Sequence, residues 1–231
     1  MNLALFDLDN TLLACDSDYE WGQYLVDEGV LEREEYEAQN AAYYEQYKAG
    51  TLDIHEYLGF ALRPLADHEP QDLARWHAEF MRERIRPMIG RPARALVRAH
   101  LEEGDLCAII TATNSFVTAP IAREFGVEHL VATEPESRGG RFTGRVAGTP
   151  CFREGKLRRL DEWLAGLGRR LADFSRSSCY SDSHNDLPLL ERVDRPVAVD
   201  PDEPLARHAA QRGWPVISLR QNDAQAASPI R

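Results

Sequence analysis

Residues Leu3-Ala4-Leu5-Phe6 form an apolar run that stops at two carboxylates one residue apart, Asp7 and Asp9. Such a run is a short buried strand. In an open parallel sheet, ligands bind beyond the carboxyl ends of the strands, so this strand delivers both acids to where chemistry usually sits. Two close anions repel each other and resist desolvation, which requires a shared proton, open solvent or a cation. Magnesium suits carboxylate and carbonyl oxygens and is commonly held together with substrate phosphates. Taken alone, the D-x-D-x-T pattern of Asp7, Asp9 and Thr11 also fits the start of a solvated turn, and the rest of the chain decides.

After Thr11 the sequence changes character. Residues 15–85 read as helices with no convincing strand: Trp21, Tyr24 and Leu25 share one helical spacing, Tyr36, Tyr43 and Tyr47 another, with breaks at Gly29, Gly50 and between Pro64 and Pro70. Seven of the eight tyrosines fall between positions 19 and 57. They form either the core of a small helical bundle or the lining of a pocket facing the carboxylates. The segment holds 17 Asp or Glu against 6 Lys or Arg, whereas the rest of the chain is balanced, so it accounts for the whole net charge of -11. That charge disfavours a nucleic-acid partner.

From Pro87 onward helices and strands alternate. A helix over 91–103 stops at Gly104. A strand over 106–110 leads into Thr111, a helix closes at Gly126, and a strand over 130–132 precedes a hairpin turn at Gly139-Gly140. A helix from 156 to 167 is followed by a strand over 178–181, which ends in Asp182-Ser183-His184-Asn185-Asp186; Pro188 opens the next helix, and strands at 196–199 and 216–219 finish the pattern. Alternation of this kind predicts a parallel sheet covered on both faces. The expected division is an α/β core (1–14 and 86–220), a helical insert (15–85) and a flexible polar tail (221–231).

No apolar run is long enough to span a membrane, and the N-terminus lacks the features of a signal peptide. Cys15, Cys107, Cys151 and Cys179 show no C-x-x-C spacing, which suggests reduced thiols and, with the previous point, a cytoplasmic protein. Nothing in the sequence sets an oligomeric state.

Three strand ends thus present Asp7 with Asp9, Thr111, and Asp182 with Asp186, while Gly155-Lys156 opens the helix before the last of these. Each has a bland explanation: a strand terminus for Thr111, a helix cap for Asp186, a surface amine for Lys156. Lys156 is, however, one of two lysines in a chain with 25 arginines, which hints that a compact point charge is required there.

Taken in order, these residues resemble the four motifs of the haloacid dehalogenase superfamily, in its phosphoserine phosphatase-like subfamily IB, and the resemblance runs from about Leu3 to Val199. It implies a three-layer α/β/α Rossmann-like core with a parallel sheet and an all-helical cap of the C1 type inserted after the first strand. It also implies a magnesium-dependent phosphomonoester hydrolase. Asp7 would be the nucleophile that forms an aspartyl-phosphate, and Asp9 the general acid that later becomes a base. Thr111, the Ala112 backbone N–H, Lys156 and Asn185 would bind the phosphate oxygens. Magnesium would sit between the Asp7 carboxylate, the Asp9 main-chain carbonyl and the Asp182 carboxylate, with Asp186 orienting Lys156 or a metal-bound water. His184 reads as an incidental loop residue.

The pattern departs where substrate choice is made. Leu58 and Phe60 stand where phosphoserine phosphatases carry arginines for the substrate carboxylate, and Thr111-Ala112-Thr113 replaces Ser-Gly-Gly. Asp16, where that family places an acid near the substrate amine, is joined by Asp18, Tyr19 and Glu20. These residues suggest a small cationic leaving group such as an amino alcohol, with histidinol phosphate as one example, held by carboxylates and aromatic faces. A solvated acidic surface explains the same charges. The alternatives are phosphoserine phosphatase proper, a phosphotransferase or mutase, a phospho-aspartate signalling receiver, and a silent binding protein. The expected partner is a small phosphomonoester.

Overall fold

The computed structural model describes residues 1–220, so the expected tail at 221–231 lies outside the described residues. Seven strands build one sheet: β1 (Leu3–Phe6), β2 (Leu106–Asn114), β3 (His129–Arg138), β4 (Arg141–Ala147), β5 (Ser177–Ser181), β6 (Arg195–Val199) and β7 (Val216–Ile217). Their order is β4-β3-β2-β1-β5-β6-β7, and all pairs are parallel except β3 with β4. The first strand therefore lies at the centre, between two strands that come more than 100 residues later. Chain connections diverge from it to either side, which opens a crevice at its carboxyl end.

Every residue of β1 is buried because both faces are covered. Ala4 and Phe6 face one apolar cluster with Ala93, Val97, Val117 and Ile121, from α7 (Arg91–Glu102) and α8 (Ser115–Glu124). Leu3 and Leu5 face another with Leu160, Leu164, Leu205 and Ala209, from α9 (Glu154–Gly166) and α11 (Glu203–Arg212). The short α10 (Leu187–Leu190) adds Leu189 and Leu190 to this second layer.

Between β1 and β2 run α1 (Ser17–Asp27), α2 (Arg33–Ala49), α3 (Ile54–Ala61), α4 (Arg63–Asp67) and α5 (Pro70–Phe80), then a wider turn at Met81–Ile85 and α6 (Arg86–Met88). Trp21, Tyr24, Leu25 and Phe80 are buried in the same cluster as Val117 of α8, so the helical insert shares a core with the sheet layer. By contrast, no residue of α2 is fully buried.

The break expected between Pro64 and Pro70 falls at His68 and Glu69, while Pro64 itself sits in the first turn of α4, where its missing N–H is harmless. Two local expectations are corrected. β2 continues beyond Ile110 to Asn114, with a shift in its pairing to β3 between those residues. β3 runs to Arg138 because its outer half pairs with β4 across Gly139 and Gly140, whose φ values of 58° and 81° fit a tight hairpin.

Candidate active site

Asp7 follows β1, and its N–H still donates to the Tyr180 carbonyl of β5 at 2.9 Å, so the sheet fixes the backbone that carries this carboxylate. The chain then turns through Leu8–Leu12, with Asn10 in the left-handed region at φ 55°. The turn brings Thr11 back beneath Asp7. Its buried hydroxyl lies 2.9 Å from Asp7 Oδ2 and 2.9 Å from Asp182 Oδ1, and accepts the Asp182 N–H at 3.0 Å. Thr11 therefore ties the ends of β1 and β5 together.

Lys156, 3% exposed, reaches in from the first turn of α9. Its Nζ donates to Asp7 Oδ1 at 2.8 Å and to Asp186 Oδ2 at 2.7 Å, and Ser181 Oγ donates to the same Asp186 oxygen at 2.7 Å. Of the two roles expected for Asp186, its contact is with the lysine.

Asp9 lines the same cavity through a separate set of bonds. Oδ1 accepts the Ser17 N–H at 2.7 Å, and Oδ2 accepts the hydroxyls of Thr113 at 2.8 Å and Thr111 at 3.2 Å. Enclosure pushes its carboxyl from 3.8 up to about 6, where the protonated form is accessible near neutrality. Thr11 and Thr113 belong to the sequence motifs, but the sequence assigns neither a role, and the contacts supply one.

Burial also raises Asp7, against the pull of Lys156, and raises Asp182 well above the usual carboxylate range, with the charge of Asp7 as the next cause. One ammonium facing several carboxylates leaves negative charge in excess. Among the described residues no three His, Cys, Asp or Glu side chains gather as a metal site by themselves. The Asp7 and Asp182 carboxylates, both bonded to the Thr11 hydroxyl, with the expected Asp9 carbonyl would make an incomplete hard-oxygen set, which would suit a magnesium ion that keeps waters and takes substrate oxygens.

These groups open onto a cavity of about 650 Å³, lined by Asp7, Asp9, Thr111, Ala112, Lys156, Asp182, Asn185 and Asp186 from the sheet side. From the insert come Asp16, Asp18, Tyr19, Tyr43, Tyr44, Tyr47 and Tyr57. Five of the seven tyrosines of the insert thus line the cavity, which favours the pocket reading over the bundle-core one. Asp16 caps α1, accepting the N–H groups of Asp18 and Tyr19 at 3.0 and 3.1 Å. Glu20 is a correction: it does not line the cavity but points toward Arg84, 4.0 Å away. Asp18, named with it, does line the cavity. It is 7% exposed, accepts the Tyr57 hydroxyl at 2.6 Å and is met by Asn114 Nδ2 at 3.3 Å. His184 pairs with Asp202 at 2.6 Å and stays outside the cavity lining.

The haloacid dehalogenase-like hydrolase family model matches residues 4–191. A histidinol-phosphatase from Neisseria meningitidis is 46% identical over 220 residues, covering 95% of this chain and 99% of that one. A crystal structure of a protein of unknown function from Bordetella pertussis shares 54% identity and superposes with a TM-score of 0.91, covering 95% and 99% of the two chains. A substrate-bound phosphoserine phosphatase, 18% identical, matches the fold with a TM-score of 0.66 over 97% of this chain and 95% of its own. Sheet order, helical insert and family match agree: the chain belongs to the haloacid dehalogenase-like hydrolases, with the fold of their phosphatases.

Proposed function

We propose that this chain is a magnesium-dependent phosphatase that hydrolyses the phosphomonoester of a small cationic alcohol through an aspartyl-phosphate on Asp7. In this reading the ester phosphorus lies against Asp7, which attacks in line as the bond to the alcohol oxygen breaks. Asp9 gives its proton to the departing alkoxide, then takes a proton from the water that attacks the aspartyl-phosphate, releasing Asp7 and inorganic phosphate. Thr111, the Ala112 N–H, Lys156 and Asn185 bind the phosphoryl oxygens, and Lys156 remains anchored by Asp186 throughout. Magnesium, held by Asp7, Asp182 and the Asp9 carbonyl, would neutralise phosphoryl charge. Residues 15–85 would act as a cap that closes over the substrate and excludes water.

The observation that carries the choice of substrate is the buried carboxylate of Asp18, which faces the cavity among tyrosines with only neutral hydrogen-bond partners. Lys156 is the one Lys or Arg among the described residues lining that cavity, and Asp7 and Asp186 already engage it. A substrate carboxylate would find no free cation. Leu58 is buried and Phe60 stacks on Tyr36 at 5.2 Å, which argues against phosphoserine. An ammonium or imidazolium would find Asp18, Asp16 and aromatic faces. The similarity to the Neisseria histidinol-phosphatase makes histidinol phosphate the first compound to test.

The test is a magnesium-dependent assay of histidinol phosphate, phosphocholine, phosphoethanolamine, phosphoserine and sugar phosphates, with Asp7→Asn as the inactive control. Preference for the cationic esters supports the proposal, and preference for sugar phosphates refutes it. Transfer to an added alcohol in preference to water would identify a phosphotransferase.

A further inference from the structure

Arg153 occupies a backbone position suited to glycine. It sits at the second position of a turn closed by the Gly155 N–H donating to the Phe152 carbonyl at 2.8 Å, with φ 51° and ψ -122°. Turns of this geometry favour glycine at that position. Gly155, two residues on, is a glycine for a different reason, since a Cβ there would stand 2.1 Å from the Pro150 carbonyl oxygen. A strained residue of this kind points to work done by its side chain.

The guanidinium bridges the two parts of the molecule. Nε donates to Asn185 Oδ1 at 2.9 Å, and Nη2 donates to the carbonyl of Gly50, the residue that ends α2. The second bond is 3.0 Å long. With Oδ1 turned toward Arg153, the Asn185 amide nitrogen points the other way, toward Ser183 Oγ at 3.3 Å and the cavity. Ser183 Oγ is itself 2.8 Å from the Tyr47 hydroxyl of α2. Both ends of the Asn185 amide are thus held by groups that also grip the end of α2. Arg153 does not line the cavity.

We propose that Arg153 is a positioning residue that links seating of the helical insert to the orientation of Asn185, turning its amide N–H toward the phosphate. Without the guanidinium the amide can flip and present its oxygen, an acceptor, to an anion. The proposal rests on the phosphatase reading but not on the identity of the alcohol.

Arg153→Gly separates side chain from backbone, because it removes the guanidinium and relaxes the turn. Thermal stability should stay level or rise. Binding of inorganic phosphate with magnesium, measured by calorimetry, should weaken roughly tenfold, the order expected for one misdirected hydrogen bond to a charged group. kcat/KM should fall by a similar factor for every ester tested. Arg153→Lys should restore little, since one ammonium cannot span both acceptors in the fork geometry. In an Asn185→Ala background, Arg153→Gly should have no further effect on phosphate binding. Unchanged phosphate affinity in Arg153→Gly, full rescue by lysine, or additive losses in the double variant would each overturn the proposal. A wild-type protein that binds no phosphate would overturn this proposal and the phosphatase reading together. A leaving-group preference other than cationic would touch only the latter's choice of substrate.

Discussion

The Tyr57 hydroxyl donates to Asp18 Oδ2 at 2.6 Å, inside a site where that carboxylate is 7% exposed. Burial lifts its pKa from 3.8 to about 6, even though the tyrosine bond pulls the other way. A group whose pKa is higher in the folded state contributes stability that is complete below the unfolded value, here 3.8, and is lost as pH rises through about 6. Two units correspond to about 3 kcal/mol withdrawn at neutral pH. Asp18→Asn should therefore be more stable than the wild type above pH ~6, with the gap closing toward pH ~4. The same variant should lose at least about 30-fold in kcat/KM on a cationic ester, since ~2 kcal/mol is the lower end for removing one partner of a buried charge pair. Thermal unfolding across that pH range checks the first half, and a pH-independent difference would contradict it.

In the proposed mechanism Asp9 would make two proton transfers, and its bonds to Ser17, Thr111 and Thr113 hold its carboxylate in place. Asp9→Asn removes the acid and the base while leaving Asp7 in place. On an alkyl phosphate, turnover should drop by roughly 10²–10⁴-fold, the usual span for general acid–base catalysis. An aryl phosphate needs no proton on its leaving group, so its first step should survive. Rapid mixing should then show a burst of phenol close to one equivalent of enzyme, followed by slow release of phosphate. Absence of a burst, with equal losses on both substrates, would argue against the covalent step.

Lys156 is the counter-charge for two buried acids. Replacing it with methionine leaves Asp7 and Asp186, 7% and 3% exposed, facing each other without a cation. Breaking a buried pair by removing one partner costs about 3–5 kcal/mol. Burial already raises Asp7 against the pull of the lysine, so its loss moves the folded pKa further up. The penalty should therefore grow as pH rises and shrink in acid. Urea unfolding of Lys156→Met at pH ~5 and ~8 in the presence of chelator would show it, and a larger deficit at the lower pH would contradict the sign.

Much of this site was legible because its charged residues lie at strand ends, where local pattern and topology point to the same place. Asp7 and Thr111 each follow an apolar run, Asp182 follows the short buried strand Ser177–Ser181, and β1, β2 and β5 turn out to be adjacent. The support around them was less visible. Thr113 reaches Asp9 only because β2 stays extended past Ile110, and Ser17 reaches it only through the return of the chain into α1. The difference between Asp18, which lines the cavity, and Glu20, which does not, had a signal in the sequence. Asp18 precedes Trp21 by three residues and Leu25 by seven, which puts it on their buried face, whereas Glu20 falls off that face. The tyrosines of α2 were ambiguous for a different reason: helical spacing states which side chains share a face, not whether that face meets protein or a cavity.

Gly155 and Gly166 make a matched pair at the two ends of α9. A Cβ at Gly155 would lie 2.1 Å from the Pro150 carbonyl oxygen, a backbone atom that cannot swing aside, whereas one at Gly166 would meet nothing within 4 Å. Gly155→Ala should cost about 1–3 kcal/mol through overpacking. It should also shift the next residue, Lys156, away from Asp7, and a displacement of ~1 Å at a catalytic group can cost up to ~10²-fold in rate. Gly166→Ala should instead stabilise the helix by up to about 1 kcal/mol with kcat unchanged. Unfolding midpoints and kcat for both variants test the pair. Equal behaviour of the two would mean that the close approach at Pro150 does not hold the lysine in place.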